Sequence, residues 1–573
     1  MVALMAVLAP LLQLAAPPPA NFDVLVYGAN AAGVLASVAA ARHGSKTALL
    51  CQAWPDCWAP SRRIGGLTTG GLGTTDSCHQ SANEPFDLCQ LSITGGLAEE
   101  FYSRSAAHYG CSNCTASKGC QGCNSTLADR QMPYNVEPSV AHSVLTAMVA
   151  AEQPRLSVFF EAQVENVTKA GATIMSITTD DGRVFQATTF VDSSYEGDLL
   201  ARAGVDYTVG RESPATYNES LSGRLKGDPR NMNNFKAVVD PFDEQGRTLP
   251  GIMTAADAEA SAGKPGAGDN HVQAYNFRVC MSTNPDNQLP FLKPDEYHPE
   301  DYELLARTLT AHDSLHTAPS CNTAPIPNFK FDNNNCGPVS SDLITADYTN
   351  ATWRNLTSWA YPEASYATRR EIWQVHRRWQ QGLFWTLSHD ARVPQKVRSM
   401  MTGWGLCKDE FTETRGWPPT LYIREARRMV GERVLTEADV REGATSDIGN
   451  VSLGLAAHAE DSHNNQRFAC QSAGEAPCYG DGPRSAGNAT AYSWNEGDYH
   501  GVMAAHAYQL PSYIALPKAG QAANLLVIAA PSASHVAFST FRSKFASNLP
   551  LLVIYRRIFT DWLCFQWSPH TWY

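Results

Sequence analysis

The stretch from Asp23 to Gly33 constrains the fold of this chain more than any other. It is an apolar strand that ends in a turn at Gly28 and continues into an alanine-rich run toward Gly44, and a second apolar stretch, Lys46–Cys51, follows. In a dinucleotide-binding βαβ unit the turn brings backbone N–H groups to a pyrophosphate, and the last glycine lets the helix pack closely. We therefore predict such a unit at the start of the fold.

The predicted phosphate loop consists of Gly28, Asn30, Ala31, Ala32 and Gly33, with N–H groups offered at the helix N-terminus. Asn30 stands where the G-x-G-x-x-G fingerprint has its middle glycine, so this turn alone is a weak signal. The alternative interpretation is the first βα unit of some other α/β sheet.

A second glycine-rich segment, between Ile64 and Asp76, makes that alternative less attractive. Its predicted ligand contacts are Gly65, Gly66, Leu67, Gly70, Gly71, Leu72 and Gly73. A segment this rich in glycine lets the backbone lie directly against a flat ligand. Two glycine loops flanking one βαβ unit predict a long cofactor that is held at both ends.

The two loops together resemble the FAD-dependent oxidoreductases, Rossmann-type flavoproteins that carry a G-G-x-x-T-G-G-L-G segment after the first strand. The resemblance runs over roughly residues 22 to 542 and includes Tyr134–Pro138, Val191–Asp198, Val209–Glu212, Val272–Arg278, Leu421–Val430, Asp461–His463, Asn495–Asp498 and Ser532–Val536. It implies FAD as the cofactor and an α/β fold. That fold has a Rossmann-like FAD-binding domain with a β-meander and a second, inserted substrate or cap domain.

This organisation divides the chain into five parts: a signal peptide (1–20), the FAD-binding domain (22–204), a substrate domain (205–440), a return to the FAD-binding domain (441–542) and an atypical tail (543–573). Apolar spacing predicts a helix from Pro138 to Glu152. Four alternating segments between Leu156 and Val191 predict the meander. Trp373–Leu387 is predicted to be helical, and Cys78–Gln131 to be a long polar loop.

Two further residues are candidate cofactor contacts. Gln52 stands at the end of the second strand, where similar flavoproteins have an acidic ribose ligand, and the lack of that acid argues against an NAD site. Asp192, at the end of a later strand, resembles the family's second flavin contact. The alternative for Asp192 is a helix cap.

For catalysis the candidates are His463 as the base, His535 as a second imidazole, and Arg278 or Arg424 as the anchor of an anionic or polar substrate group. Imidazole is suited to proton removal near neutral pH. The alternatives are that either histidine is a satisfied core residue and that Arg424, with Arg427 and Arg428, forms structural ion pairs on a helix. Six aromatic residues, Trp353, Trp359, Tyr361, Trp373, Trp379 and Trp385, could stack on a sugar or belong to the core.

Several features predict export. Met1 to about Ala16 is apolar and ends in small residues, like a secretory leader, and is too short to span a bilayer comfortably. The cysteines of Cys111-x-x-Cys114 and Cys120-x-x-Cys123 fit disulfides or four zinc thiolates, and we favour disulfides over a metal site. Glycosylation acceptors occur at Asn113, Asn124, Asn166, Asn218, Asn350, Asn355, Asn450 and Asn488.

The sequence thus predicts a secreted, glycosylated FAD-dependent oxidoreductase that takes hydride from a small polar molecule or carbohydrate. The net charge of −12 argues against a nucleic-acid partner, and no stable membrane span is expected. Two alternatives are a vestigial flavin-binding scaffold without turnover and a polysaccharide lyase or hydrolase with a structural flavin. After Arg542 the chain departs from the family, which we interpret as a misjoined or read-through gene end. An alternative closure of the sheet is a second interpretation of that tail.

Overall fold

A computed structural model describes residues 20–52, 62–74, 95–115, 119–121, 135–225, 231–311, 323–335, 337–344, 356–441, 452–456, 460–470, 491–501 and 508–539. Residues 1–19 of the predicted signal peptide, the atypical tail and Trp353 lie outside these residues. Among the glycosylation acceptors, Asn124, Asn350, Asn355, Asn450 and Asn488 also lie outside them.

Helices and strands alternate along the described part of the chain. The helices are α1 Ala31–Arg42, α2 Gly96–His108, α3 Pro138–Ala150, α4 Asp198–Arg202, α5 Pro214–Tyr217, α6 Ala255–Ala262, α7 Glu303–Ala311, α8 Tyr366–His389, α9 Gln395–Met401 and α10 Glu437–Arg441. The strands are β1 Ala20–Tyr27, β2 Thr47–Leu50, β3 Ser112–Thr115, β4 Gly119–Gln121, β5 Leu156–Phe159, β6 Val164–Ala170, β7 Thr173–Thr179, β8 Val184–Asp192, β9 Tyr207–Thr208, β10 Val279–Ser282, β11 Gln288–Leu289, β12 Thr323–Ile326, β13 Lys330–Asn333, β14 Gly405–Cys407, β15 Arg428–Met429, β16 Ser452–Ala456, β17 Asp461–Ser462, β18 Gln466–Cys470, β19 Tyr492–Glu496, β20 Tyr499–His500, β21 Tyr508–Pro511 and β22 Leu525–Val527.

The largest sheet contains the predicted βαβ unit. Its strand order is β5-β2-β1-β8-β7-β6, with β22 beside β8, and β1 runs parallel to both β2 and β8. Burial on both faces explains why β1 ends in four consecutive buried residues, Val24–Tyr27. The mixed α/β fold with a parallel, Rossmann-like sheet is therefore confirmed.

The predicted four-stranded meander is wrong in its first strand. β6, β7 and β8 are antiparallel neighbours, as expected, but β5 pairs parallel with β2 in the register Thr47↔Leu156. The reason is connectivity, because α3 crosses over between β2 and β5 and a helical crossover joins parallel strands. α3 ends at Ala150, two residues before the predicted end.

A second, five-stranded sheet has the order β11-β14-β10-β13-β12 and is antiparallel throughout. A disulfide between Cys280 and Cys407 joins its neighbouring strands β10 and β14.

α8 packs against this part of the core and starts seven residues before the predicted helix, because Ser365 caps it by accepting a hydrogen bond from the Thr368 N–H.

Several local expectations are corrected by the structure. Trp373, Trp379 and Tyr361 are 1–2% exposed core residues, so they cannot stack on a sugar, whereas Trp359 and Trp385 keep partial exposure. The predicted loop Cys78–Gln131 contains the 13-residue helix α2. That helix is amphipathic and buries Ala98, Phe101 and Tyr102 against the main core, a pattern that the polar composition of the segment concealed.

The cysteines in the described residues are consistent with an oxidised protein. Besides Cys280 and Cys407, Cys51, Cys111 and Cys470 are disulfide-bonded. Within the described ranges no group of three or more His, Cys, Asp or Glu side chains could hold a metal ion. No helix in this part of the chain is long and apolar enough to cross a membrane.

Candidate active site

Asn30 organises the first glycine loop. As the N-cap of α1, its Oδ1 accepts hydrogen bonds from the Gly33 N–H at 3.0 Å and the Ser193 hydroxyl at 2.7 Å, while its Nδ2 donates to the Ser193 carbonyl. Its backbone pairs with Gly65 in the second loop. The residue that replaces the middle glycine therefore ties together both glycine loops and the end of β8.

Gly28 and Gly33 are required by protein packing around this loop. A Cβ on Gly28, whose φ is +98°, would lie 2.6 Å from the Ser194 nitrogen, and a Cβ on Gly33 would lie 2.0 Å from the Gly28 carbonyl oxygen. Helix α1 can begin this close to β1 only because neither residue has a side chain. Its first turn places Ala31 and Ala32 at the carboxyl edge of the sheet, where a dinucleotide pyrophosphate is bound in such folds.

The two candidate contacts at strand ends are both engaged within the protein. Gln52 donates a 3.1 Å hydrogen bond to the Tyr27 hydroxyl. Asp192 accepts hydrogen bonds from the Ser194 N–H and hydroxyl on one oxygen and from the Leu200 N–H on the other, and burial raises its pKa to about 6. Such bonds to backbone N–H groups are what the alternative interpretation of Asp192, a helix cap, predicts. Roles of both residues toward the cofactor stay predictions.

The second glycine loop is held by two distant side chains. The Leu67 N–H donates to the Tyr195 hydroxyl at 3.1 Å, and the Gly73 and Thr74 N–H groups both donate to Asp332 at 3.0 Å. Asp332 is in turn paired with Arg278 at 2.7 Å. Arg278 is therefore paired with the carboxylate that fixes the loop.

Loop residues Gly65, Gly66 and Gly71 have positive φ angles, and Gly70 and Gly71 are in close contact with the opposite segment. A Cβ on Gly70 would lie 2.0 Å from the Thr420 hydroxyl oxygen, and one on Gly71 would lie 2.2 Å from the Arg278 carbonyl oxygen. Leu67 and Leu72 pack on Tyr422. The segment after Thr420 thus covers the loop.

The segment that contains Arg424 is extended, so the helix considered for it is wrong. Tyr422 pairs with Asn276 in a β-bridge, and β15 covers Arg428 and Met429. Each arginine there meets buried acids from distant parts of the chain: Arg424 meets Asp342, Arg427 meets Asp198, and Arg428 meets Glu212. Such long-range ion pairs favour an extended segment that presents side chains in several directions.

Arg424 and His463 belong to one group of charged side chains, here called the His463 cluster: Asp342, Arg424, Asp461, His463, Asp498 and His500. The guanidinium of Arg424 lies 4.5 Å over the ring of Tyr422. His463 Nδ1 is 2.8 Å from Asp342, and its Nε2 is 2.8 Å from Arg424 Nη1 and 3.2 Å from Asp461. Both nitrogens of His463 thus have protein partners.

Charge pairing perturbs the acids and the second histidine of this cluster. Burial alone would raise the pKa of Asp342, but Arg424 and His463 bring it below its ordinary value. The pKa of Asp461 falls well below its usual range, against the effect of burial, because His463 and His500 lie beside it. Burial alone would lower the pKa of His500, whereas Asp498 and Asp461 raise it well above its ordinary value. These two carboxylates therefore favour the protonated, cationic form of His500.

His535 lies in a different group, here called the His535 cluster: Glu212, Glu219, Glu425, Arg428 and His535. Its Nδ1 is 2.9 Å from Glu425, and its backbone N–H donates to Glu212 at 3.0 Å. Arg428 joins both carboxylates, at 2.8 Å from Glu212 and 3.0 Å from Glu425. His535 Nε2 is buried and has no hydrogen-bond partner among the described residues.

Gln273 connects the two clusters. Its Oε1 accepts a hydrogen bond from the His463 N–H at 3.0 Å, and its Nε2 donates to Glu425 at 3.3 Å. The structure therefore brings together His463, His535 and Arg424, three of the four catalytic candidates. Sequence reasoning missed Gln273, Glu425 and Asp342; the first two stand inside the motifs that carry the family resemblance.

Buried polar atoms without partners indicate how a cofactor would fit. Among the described residues these include Thr74 Oγ1 after the second loop, Asn276 Oδ1, Arg424 Nε and His535 Nε2. A buried polar atom that lacks a partner is rare and calls for a ligand or water. A heteroaromatic ring with an imide N–H and carbonyl oxygens offers groups complementary to the Asn276 oxygen and the Thr74 hydroxyl, so these two residues and the glycine loops fit FAD.

Comparison with known families agrees with this geometry. A family model described as FAD dependent oxidoreductase matches residues 23–545. The chain belongs to this family. Its cofactor is FAD, and the matched range includes every candidate residue discussed above.

Solved structures with a partial likeness include two oxidases and a monooxygenase. They include glycine oxidase from Geobacillus kaustophilus (14% identity, 34% of this chain and 64% of that chain, TM-score 0.22). NikD, an unusual amino acid oxidase, has 14% identity over 34% of this chain and 57% of that chain, with a TM-score of 0.21. The flavin-containing monooxygenase from Stenotrophomonas maltophilia has 15% identity over 36% of this chain and 44% of that chain, with a TM-score of 0.18. This chain covers less than two thirds of each of them. No curated protein matches it.

Proposed function

We propose that this protein is a secreted oxidoreductase that removes a hydride and a proton from a small polar molecule or carbohydrate, with His535 as the base. The observation that carries the proposal is the buried Glu425–His535 pair, in which one imidazole nitrogen faces a carboxylate and the other has no protein partner among the described residues. Bound FAD supplies the two-electron acceptor in enzymes of this family.

The protein's own residues provide the proton chemistry. A carboxylate can only accept, so Glu425 fixes the His535 proton on Nδ1 and leaves the lone pair on Nε2. When Nε2 takes a proton from a substrate hydroxyl or amine, the resulting imidazolium is stabilised by the same carboxylate, as in other acid-oriented histidines. Arg428 pairs with both Glu212 and Glu425 and so places a positive charge between these two carboxyl groups.

Two observations on the described residues support export. The structure contains disulfide-bonded cysteines, which persist in oxidising compartments. The glycosylation acceptors Asn166 and Asn218 both keep solvent exposure. Expression of the full chain in a eukaryotic host tests this point. We expect glycoprotein in the medium, and retention inside the cell without glycans would contradict export.

The reaction is tested by anaerobic mixing of the purified holoenzyme with a panel of alcohols, sugars, sugar acids and amines. A substrate is expected to bleach the flavin absorption and to appear as its two-electron-oxidised product by mass spectrometry. A flavin that stays oxidised with every member, or a product formed without net oxidation, would overturn the proposal.

A further inference from the structure

We propose that Arg424 binds an acidic group of the substrate, and that this binding is coupled to the uptake of one proton by His463 from solvent through Asp461 and His500. The inference rests on the proposed function and names the substrate class: small polar molecules that carry a carboxylate, such as sugar acids or hydroxy acids. It begins from His463, whose two occupied nitrogens leave it without a lone pair for substrate.

The contacts of His463 Nε2 cannot all be made at once. It lies 2.8 Å from Arg424 Nη1 and 3.2 Å from Asp461 Oδ1. A guanidinium only donates and a carboxylate only accepts, so a neutral Nε2 accepts from Arg424 and a protonated Nε2–H donates to Asp461. Asp342 accepts from Nδ1–H in both states. The protonation state of His463 thus decides whether Arg424 Nη1 donates a hydrogen bond to His463.

Arg424 has further donor capacity for an anion. Its side chain is 1% exposed, and its Nε has no hydrogen-bond partner among the described residues. Its Nη2 is held by Asp342 at 2.9 Å, which fixes the guanidinium in place. A carboxylate that reaches this buried guanidinium gains charge-assisted hydrogen bonds, which are stronger than those between neutral groups.

Binding at Arg424 then favours protonation of His463. An anion that draws Nη1 away leaves the Nε2 lone pair unpaired beside the Asp461 carboxylate, and a proton on Nε2 restores a hydrogen bond there. The other charges of the cluster also favour protonation of His463. The carboxylates of Asp342, Asp461 and Asp498 outnumber the cations Arg424 and His500, so a proton on His463 balances the cluster.

The cluster also offers a path from solvent. His500 Nδ1 and His463 Nε2 both lie 3.2 Å from the same oxygen of Asp461. The side chains of His500 and Asp461 are each 21% exposed, whereas those of His463 and Asp342 are 4% exposed. A proton can therefore pass from the partly exposed His500 to Asp461 and on to His463.

Calorimetric titration of the oxidised holoenzyme with D-gluconate, in buffers of different ionisation enthalpy, tests the coupling, with D-glucose as the neutral counterpart. We expect gluconate to bind with uptake of about one proton and, over the pH range in which that proton is taken up, to lose affinity about tenfold per pH unit. Glucose should bind more weakly and take up no proton.

Three variants distinguish anion binding at Arg424 from proton uptake by His463. His463→Gln should bind gluconate with no proton uptake, and Asp461→Asn should reduce the uptake because the partner of Nε2–H is lost. Retained flavin and an unchanged melting temperature show that each variant is folded, and Arg424→Lys should bind gluconate more weakly while keeping the flavin.

Gluconate binding without proton uptake, equal uptake in His463→Gln, or no binding of gluconate, glycolate or acetate would each overturn the inference. If the enzyme still oxidises neutral substrates in that case, the proposed function stands and only the acidic substrate class fails.

Discussion

The His463 and His535 clusters both combine carboxyl groups, an arginine and histidine, yet they leave the imidazoles of His463 and His535 in opposite situations. His463 is surrounded by Asp342, Asp461 and Arg424, and both of its nitrogens are engaged. His535 has one carboxylate on Nδ1, and its Nε2 has no partner among the described residues. The comparison teaches that burial beside charged groups does not by itself make a catalytic base; a base also needs a nitrogen that the protein leaves free.

The largest effect is expected from His535→Gln. The variant should keep its flavin, but reduction by substrate should slow about a hundredfold or more because the free lone pair is lost. Stopped-flow measurement of flavin bleaching gives the rate.

The matched control for His535→Gln is His376→Gln. His376 is equally buried and its Nε2 also lacks a partner in the described part of the chain, but its Nδ1 faces the Ile372 carbonyl, and burial lowers its pKa to about 4. Its loss should change the rate by no more than about twofold. Equal rates for His535→Gln and the wild type would remove His535 as the base.

Glu425→Gln should have the next largest effect. An amide can present either its oxygen or its NH₂ to His535 Nδ1, so the proton is no longer fixed on that nitrogen and the imidazolium is less stabilised. We expect reduction to slow about tenfold to a hundredfold. Glu363, which pairs with Arg427 on the exposed side, provides the control variant Glu363→Gln. If Glu425→Gln left the rate unchanged, Glu425 would have no role in catalysis by His535.

His463→Gln sharpens the comparison directly. The sequence-based assignment of His463 as the base predicts a loss of about a hundredfold or more in the rate of flavin reduction. The occupied nitrogens predict a much smaller loss at saturating substrate, about threefold, with the main effect on substrate affinity. Stopped-flow rates over a range of substrate concentrations separate the two. A hundredfold loss at saturation would restore His463 as the base and reverse the comparison.

The smallest effect is expected on stability, from His500→Gln. The folded-state pKa of His500 is raised, so its ion pairs with Asp461 and Asp498 stabilise the fold fully below its unfolded pKa and are lost as pH rises through the higher folded value. The melting temperature should drop by about 1–3 °C at pH 6 and by less at pH 10. A drop of the same size at both values would mean that its charge does not matter.

The sequence predicted the parts of the fold that are determined locally. The apolar strand before Gly28 and the small residues of α1 each carry their own pattern, and the structure forms this strand and this helix as expected. The second glycine segment lies beside the first glycine loop, and its contacts with the cofactor stay predictions. The first strand of the meander was misassigned because its neighbour, β2, lies more than a hundred residues away in sequence. Alternation of polar and apolar residues does not reveal which strand will be adjacent.

Contacts between distant segments, which local sequence patterns do not reveal, matter even more in the candidate site. The sequence identified His463, His535, Arg424 and Arg278, but the roles of these residues depend on partners far along the chain. Asp342 and His463 are 121 residues apart, and Glu425 and His535 are 110 apart. The spacing of arginines after Tyr422 suggested a helix, whereas acids from other segments hold that stretch extended. Only the folded chain decides which imidazole nitrogen stays free.

Asn30 has a consequence for how the enzyme acquires its cofactor. Its hydrogen bonds to Gly33 and Ser193 and its backbone pairing with Gly65 join only protein groups, so none of them depends on FAD as a partner. The chain stripped of FAD should keep the shape of its receptor for the dinucleotide. Reloading is then a docking event with little ordering of loops, and an apoprotein of this kind is well suited to meeting its cofactor late, after folding is complete.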